Sequence, residues 1–386
     1  MAIRVQQALT QEERAVVYAF RYKVYIAEMG KPMDEADHGQ KWVVDPADEL
    51  GIIFAAYDGA ELVGTLRLNV GLESMIGDPR LTIYDLHLFE DCEAEQFAFA
   101  SRFMLRSDYR GSLAAHRLTL AALEIALAAH VRLCFCYCAP YLVSFYEQMG
   151  FRRYTDNFND DLGYRIPMVM VLFDLFHLGA VHSPLLDRLA AQKPGPEWEG
   201  YFARKFPDHV LPANARIVST EEFYNLLNYK LHDDPLQSIS LLRGLTKEEA
   251  DEVLKAGTVI NCEPSDVLIR AGEHSSELYL ILSSMVGVRS PRTKALISVL
   301  GPGELLGEMA FFMGSTRTAD VEVLTGGDLL VLSEKTINHL MRRHPAIASK
   351  ILYNLARILC ERLATTTRNL SEIVALQPAE PSPLGT

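Results

Sequence analysis

Two stretches of the chain carry residues whose types and spacing suit the chemistry of phosphate. The first, Gly301-Pro-Gly-Glu-Leu-Leu-Gly-Glu-Met-Ala-Phe-Phe-Met-Gly-Ser-Thr-Arg-Thr-Ala-Asp-Val321, joins glycines to a Glu and an Arg nine residues apart. Gly301, Gly303 and Gly307 permit tight turns, and the small Ala310 lets backbone N–H groups come close to an anion. Arg317 can fork onto phosphate oxygens. Glu308 is a lone carboxylate able to accept a hydrogen bond from a sugar hydroxyl. A ribose beside a phosphate satisfies both. The second stretch is an apolar run, Phe97 to Leu105, feeding through Asp108-Tyr-Arg-Gly-Ser112 onto a long apolar helical pattern from about Leu113 to His130. The free N–H groups and dipole of a helix start favour negative charge. Arg102, Arg106 and Arg110 add positive charge there.

The elements needed to position these residues are legible in outline. Around the first stretch, Val267 to His274, Glu277 to Ser283, Val321 to Val323 and Leu329 to Leu332 are short β-rich runs divided by turns, the pattern of a small all-β roll. Helical periodicity follows from Lys335 to Leu363. Ahead of the second stretch, Ile3 to Ala8 reads as a strand, and Thr10 with Glu13 forms a capping box that opens a helix burying Val16, Val17, Phe20, Val24 and Tyr25. Arg21 lies near that face. Ile52 to Tyr57 and Glu61 to Val70 are strands joined by the hairpin dipeptide Asp58-Gly59, and Arg67 sits among apolar neighbours on the second. A charged loop from Gly30 to Gly39 precedes Asp45-Pro-Ala-Asp48. Arg132 to Cys138 is a further strand, with Cys134, Cys136 and Cys138 on one face. These thiols read as small core residues, because parallel side chains with no interleaved His do not converge on a metal.

At 386 residues, two domains are expected. Lys and Arg number 37 against 50 Asp and Glu, a net charge of −13, which argues against nucleic acid as a partner. The six cysteines show no secreted-style framework, and the start lacks the apolar core of a signal peptide, so a cytoplasmic setting is expected. The longest apolar run, Ile166 to Ala180, is short and carries Asp174 and His177, so no membrane span is expected. From Ala191 the chain turns rich in proline; Trp198, Tyr201 and Phe202 predict a packed linker, and a helix is expected from about Thr220 to Leu231.

The order strands, cradle, strands, helix resembles the cyclic nucleotide-binding domain over residues 236–366, with the cassette Gly307-Glu308-x-Ala310 and then Arg317-Thr318-Ala319. The resemblance implies that Glu308 holds the ribose 2′-hydroxyl and Arg317 the cyclic phosphate, with Gly307, Met309, Ala310 and Thr318 lining the site. Cyclic AMP is favoured over cyclic GMP.

In the first half, Ala139-Pro-Tyr-Leu-Val-Ser-Phe-Tyr-Glu-Gln-Met-Gly-Phe151 resembles the coenzyme-A-proximal segment of the GCN5-related acyltransferases, in which a Tyr at the position of Tyr146 protonates the departing thiolate. Phe20-Arg21-x-x-Val24-Tyr25, Asp45-x-x-Asp48, Gly64-Thr-Leu-Arg67-Leu, Ser101-Arg102-Phe103 and Gly163-Tyr-Arg-Ile-Pro-Met-Val-Met170 are similar to the acyl-homoserine lactone synthases and N-acyl amino acid synthases. That resemblance implies a fatty acyl donor on acyl carrier protein or coenzyme A, and an amino acid or other small amine as acceptor. Phe103, Met104, Leu105, Arg110, Gly111 and Ser112 become donor-binding candidates, Arg21, Arg67 and Arg102 acceptor-site candidates, and Asp45, Asp48 or a water-relayed group the base. The chain departs from the pattern at Phe99, where the synthases carry Glu, and after Gly111, where Ser112, Leu113 and Ala114 replace further glycine.

The expected architecture is therefore α+β in two domains: a mixed-sheet acyltransferase domain (1–190), a linker with a helix (191–235), a β-roll cyclic nucleotide-binding domain with flanking helices (236–366) and a disordered tail (367–386). The expected function is an N-acyltransferase governed by a cyclic nucleotide, without a metal. A lysine acetyltransferase acting on proteins and a non-enzymatic nucleotide-responsive module are the alternatives.

Overall fold

The Thr10 capping box forms as its spacing requires: Thr10 Oγ1 accepts from Glu13 N, and Glu13 reaches back to the Thr10 backbone. It opens α1 (Gln11–Tyr22), which runs on into a π-helical stretch, Lys23–Glu28. The strands of this half are β1 (Arg4–Gln7), a small ribbon of β2 (Ala36–Asp37) and β3 (Trp42–Val43), then β4 (Ile52–Asp58), β5 (Glu61–Val70), β6 (Phe97–Leu105), β7 (Leu133–Cys138), β8 (Arg152–Arg153), β9 (Phe158–Asp160) and β10 (Gly163–Val171). They form one mixed sheet in the order β1-β4-β5-β6-β7-β10-β8, with β9 on β10. This computed structural model describes residues 3–31, 33–110, 112–160, 163–209, 228–229 and 234–376. The expected helix at Thr220 to Leu231 lies almost wholly outside the described residues.

Two irregularities shape the middle of the sheet. On its β5 side, β6 pairs Ser101 with Arg67 but Met104 with Thr65, so one extra residue is accommodated, and Arg102 takes a φ of +51°. That bulge resets the alternation, so Ala100 and Phe103 face the same side. On its other side, β6 runs parallel to β7 only from Phe97 to Phe99, while β7 continues against β10 as far as Cys138. Past Phe99 the two strands separate into a wedge. Among the described residues, the β6–β7 ladder does not continue past Phe99.

One face of the sheet is covered by α2 (Leu113–Ala128), capped by Ser112 Oγ on Ala114 N, and by α3 (Val143–Met149), which ends at Gly150 with a φ of +115°. Cys134, Cys136 and Cys138 pack into this core. The opposite face carries Phe99, Phe135, Tyr84, Phe89, Tyr154 and the linker residues Phe202 and Phe206. Phe99 stacks on Phe135 with ring centroids 5.6 Å apart, so the position where the synthases place Glu is here a core aromatic.

The C-terminal half contains α4 (Lys247–Lys255) and two antiparallel sheets built from β11 (Thr258–Cys262), β12 (Val267–Ile269), β13 (Leu278–Ile281), β14 (Met285–Arg289), β15 (Leu296–Leu300), β16 (Leu305–Leu306), β17 (Asp320–Thr325) and β18 (Gly327–Leu332). Their orders are β11-β18-β13-β16 and β12-β17-β14-β15. Within the roll lies α5 (Glu308–Met313), and after it come α6 (Glu334–Arg343) and α7 (Pro345–Leu376). The single helix expected from Lys335 to Leu363 is thus two, because Pro345 has no N–H to continue α6 and instead opens a new helix. Helix α7 also runs to Leu376, so residues 367–376, expected as disordered tail, are helical; residues 377–386 lie outside the described ones.

The halves share a core. Tyr164, Ile166 and Met168 of β10 belong to the same apolar cluster as Ile260, Cys262, Leu268 and Tyr279. Polar bonds cross beside it: Tyr164 Oη donates to Asp266 Oδ2 at 2.7 Å, Asn159 exchanges bonds with Val267 at 2.7 and 3.1 Å, and Arg153 Nη1 reaches Val259 O at 2.8 Å.

Candidate functional site

The glycine-rich stretch forms a cradle around Arg317. Gly307 has a φ of +92°, and a Cβ there would lie 2.5 Å from Glu277 O and 2.7 Å from Arg317 Nη1, so only glycine lets the guanidinium pass. Arg317 is 4% exposed. Its Nε donates to Ser275 Oγ at 2.7 Å, its Nη1 to Gly307 O at 3.0 Å, and its Nη2 to Glu277 O at 2.9 Å and Glu277 Oε2 at 3.3 Å. Burial pushes the Glu277 carboxyl up, and Arg317 opposes that rise. Glu308, also buried, accepts from Arg362 Nη1 on α7 at 2.5 Å. Met309 is half-exposed at the rim, with Thr318 Oγ1 3.8 Å from its sulfur, and Ala310 is buried. The arrangement offers a forked cation and a carboxylate, each held by a partner within the chain.

A second site lies at the wedge between β6 and β7. Ala100, Phe103, Phe145, Tyr146, Met149 and Met170 help line a narrow apolar crevice of about 50 Å³. Tyr146 packs edge-on against Phe145 and Phe151, with centroids at 5.3 and 5.5 Å. Burial pushes its hydroxyl well above the ordinary phenol range, so it stays protonated and can act as an acid. Met104 points the other way, onto Phe20 and Val24, and Leu105 packs on Leu118 across Gly64. Arg110 Nε reaches Leu105 O at 3.4 Å, beside the start of α2. Arg106 is tied to Asp108 and Glu61 at 2.7 and 2.8 Å.

Behind β6 is an ionic cluster. Arg21 Nη1 lies 2.8 Å from Asp48, Arg67 binds Asp45 and lies 3.0 Å from Asp48, Arg102 Nε donates to Asp45 Oδ2 at 2.8 Å, and Arg80 Nη2 lies 3.0 Å from Asp45 and 2.7 Å from Asp78. Burial works to raise the Asp45 carboxyl, but Arg102, Arg67 and Arg80 outweigh it and hold it well below the carboxylate range. A carboxylate so held takes no proton near neutral pH.

Residues 16–174 match the family described as N-acyl amino acid synthase FeeM, and residues 259–344 match the cyclic nucleotide-binding domain. The chain joins a domain similar to the N-acyl amino acid synthases to a cyclic nucleotide-binding domain. Among curated relatives, it is 33% identical over 136 residues to glutaminase 2 of Bradyrhizobium diazoefficiens, covering 35% of this chain and 22% of that protein. It is 32% identical over 128 residues to the cyclic AMP receptor protein of Thermus thermophilus, covering 32% of this chain and 56% of that protein. The structure of a putative N-acetyltransferase from Lactobacillus plantarum aligns at 20% identity with a TM-score of 0.34, over 44% of this chain and 99% of that one.

In the nucleotide-binding domain the cassette residues named from the sequence do gather around Gly307. In the synthase domain the outcome is divided. Phe103 and Tyr146 share the crevice, and Ser112 and Arg110 stand at the start of α2, whereas Met104 points to the opposite face onto Phe20 and Val24, Leu105 packs on Leu118 outside the crevice lining, and Gly111 lies outside the described residues. Asp45 and Asp48, the candidate bases, are both buried carboxylates bound by arginines. Of the acceptor-site candidates, Arg21 and Arg67 are 0% and 1% exposed and pair with these carboxylates, while Arg102 has Glu35 Oε1 3.6 Å away. Arg80, Glu35, Glu277 and Arg362 were not foreseen. Arg80 follows Asp78-Pro79, which reads as a surface turn, and only the Asp78 cap at its N–H, 2.9 Å, hints at order there. Among the described residues no group of His, Cys, Asp and Glu could hold a metal ion, and no helix is long and apolar enough to cross a membrane.

Proposed function

We propose that this chain is an N-acyltransferase that moves an acyl group from a phosphopantetheine thioester to a small amine under the control of a cyclic nucleotide. The observation that carries this reading is the wedge where β6 and β7 cease to pair beyond Phe99, with the Tyr146 hydroxyl in the apolar crevice beside it. The acyl chain enters the crevice, whose small open volume requires Phe103, Phe145 or Met149 to turn aside. The pantetheine phosphate rests at the start of α2, where Ser112 and Arg110 stand. Attack by the amine turns the thioester carbonyl into an oxyanion, which backbone N–H groups of β6 receive. As the intermediate collapses the C–S bond breaks and Tyr146 gives its proton to the sulfur. With Asp45 held ionised by arginines, the proton from the amine leaves through water.

The nucleotide-binding domain fits a cyclic nucleotide on its own geometry: Gly307 leaves the room that a Cβ would fill, Arg317 supplies the fork for the phosphate, and Glu308 supplies the acceptor for the ribose hydroxyl. Its link to the synthase domain is short. Arg317 N donates to Glu273 O at 2.8 Å, and the Glu273 side chain lies 3.8 Å from Lys31 in the loop after α1. A nucleotide that draws Arg317 from Glu277 shifts this segment, and the differing affinities of the two states couple binding to catalysis.

The test is mass spectrometry of reactions containing the full chain, long-chain acyl carrier protein or acyl-coenzyme A, and a panel of amines, with and without cyclic AMP or cyclic GMP. New N-acylated amines formed at a nucleotide-dependent rate are expected. Acetylated protein lysines, or no product from any donor, would overturn the reading.

A further inference from the structure

We propose that the basic pocket between α7 and the turn that follows Ser240–Leu242 binds a nucleoside monophosphate, at a place separate from the cradle around Gly307.

The pocket has a volume of about 550 Å³, in the range of small-ligand sites. Its frame is fixed from α7. Asn354, 3% exposed, donates through Nδ2 to Leu241 O at 2.9 Å and to Arg243 O at 2.8 Å, which pins the turn to the helix. Gly244 follows with a φ of +76°, and a Cβ there would meet nothing within 4 Å, so that wall stands open. Lys350, Tyr353, Asn354 and Arg357 recur three and four residues apart along α7 and line the pocket from one face of the helix.

Three cations, Arg243, Lys350 and Arg357, gather here in a chain whose net charge is −13. Lys350 is held by a carboxylate of the chain: its Nζ lies 2.8 and 2.6 Å from the two oxygens of Glu249. The two arginines are not. Arg243 is exposed, and among the described residues its guanidinium enters no ion pair. Arg357 Nη1 stands 3.9 Å from Glu361 Oε1, too far for a hydrogen bond, and its Nε and Nη2 are buried with no hydrogen-bond partner among the described residues. Donors left so are costly, and Nε with Nη2 is the edge of a guanidinium that forks onto two oxygens of one phosphate. The Arg357 side chain is 25% exposed, so a turn of its outer bonds brings that edge to a ligand. A phosphate between Arg243 and Arg357 gives both arginines the acceptor they lack.

The rest of the ligand follows from the other wall. Tyr353 lines the same pocket with 71% of its surface exposed, and a flat base can lie on such a ring. Phosphate, ribose and base together suit the volume, whereas inorganic phosphate leaves most of it to water. None of the residues that line this pocket belongs to the Gly307 to Thr318 cassette.

The experiment titrates AMP, ribose 5-phosphate and adenosine into the full chain by calorimetry, using the parent, Arg243→Gln and Arg357→Gln. AMP should bind tightest, ribose 5-phosphate about tenfold more weakly for want of the base, and adenosine not measurably. Each variant should weaken AMP at least fivefold and leave cyclic AMP affinity within about twofold. Adenosine or ribose 5-phosphate binding as tightly as AMP would overturn the proposal. So would AMP affinity that neither variant alters, or variants that weaken cyclic AMP equally, which would return AMP to the cradle. Light scattering checks a second copy of the chain as the occupant: a dimer that either variant splits while AMP binding stays unchanged also overturns it. Because Arg243 is exposed and unpaired, its variant tests the pocket even if Arg357→Gln fails to fold.

Discussion

Arg362, midway along α7, donates through Nη1 to Oε1 of Glu308 at 2.5 Å, so the carboxylate suited to a ribose hydroxyl is already engaged by the last helix. A nucleotide must take Glu308 from Arg362 before it can use it. Arg362→Ala is therefore expected to tighten cyclic AMP about fivefold, the equivalent of about 1 kcal/mol for a partly exposed ion pair. Calorimetry on parent and variant checks this. Weaker binding in the variant would make Arg362 a contact for the nucleotide instead of its competitor.

Arg317→Ala should cost at least a hundredfold in cyclic AMP affinity, because the buried phosphate loses its forked cation. It should also lower the melting temperature, since Glu277 is left buried without its partner. Binding within about threefold of the parent, a difference under about 0.7 kcal/mol, would reject the site.

Tyr146→Phe removes a proton and almost no surface. Turnover should fall on the order of a hundredfold with the KM for the acyl donor little changed. Because burial keeps the Tyr146 hydroxyl protonated far above neutrality, the loss should be even from pH 6 to 9. A variant that alters the shape of the pH profile, or leaves a chemistry-limited rate intact, would return Tyr146 to a packing role.

Burial, helped by Arg152, pulls the His177 imidazole down to about 4. Folded His177 is thus neutral where the unfolded residue, near 6.5, takes up a proton, so its contribution to stability is present above about pH 6.5 and is lost as the pH falls towards 4. Burial pushes the Glu273 and Glu277 carboxyls up, which gives the opposite trend, so the useful measurement is a difference between proteins. Melting curves from pH 7 to 4.5 should show a smaller acid loss in His177→Gln than in the parent. Parallel curves would show that His177 does not titrate there.

Gly30, with a φ of +58°, lies so close to His274 that a Cβ would stand 2.1 Å from its Cδ2. Gly30→Ala should separate the loop after α1 from the Glu273 segment. The expected result is a ratio of acyl-transfer rates with and without cyclic AMP that moves towards one, while cyclic AMP affinity stays within about twofold. An unchanged ratio would place the coupling elsewhere along the shared core.

What could be read from the residues was what depends on near neighbours in the chain. The Thr10 box, the Asp58-Gly59 hairpin and the Gly307 to Thr318 cassette are local devices, and each stands where its spacing puts it. The bulge at Arg102 was hidden because no glycine marks its positive φ; the cluster around Asp45 enforces that backbone instead. Asp45 and Asp48 carried the right types for bases, but their partners, arginines from α1, β5, β6 and the Asp78 turn, were brought together only by the fold. Arg362 looked like any helix cation, since helical periodicity assigns a face and not the partner opposite it. The break at Pro345 was legible in principle, and continuous apolar spacing on both sides concealed it.

The apolar cluster that runs from Ile166 and Met168 into Ile260 and Tyr279 bears on how such a protein can be rewired. A sensor joined by a tether can be exchanged for another, because each module keeps its own surface when cut free. Here a cut would bare part of a common interior on both pieces, and each fragment would carry a sticky face into solution. Swapping the nucleotide specificity of this chain therefore calls for changes inside the cradle around Gly307, with the β10 side left intact, and not for grafting a foreign domain.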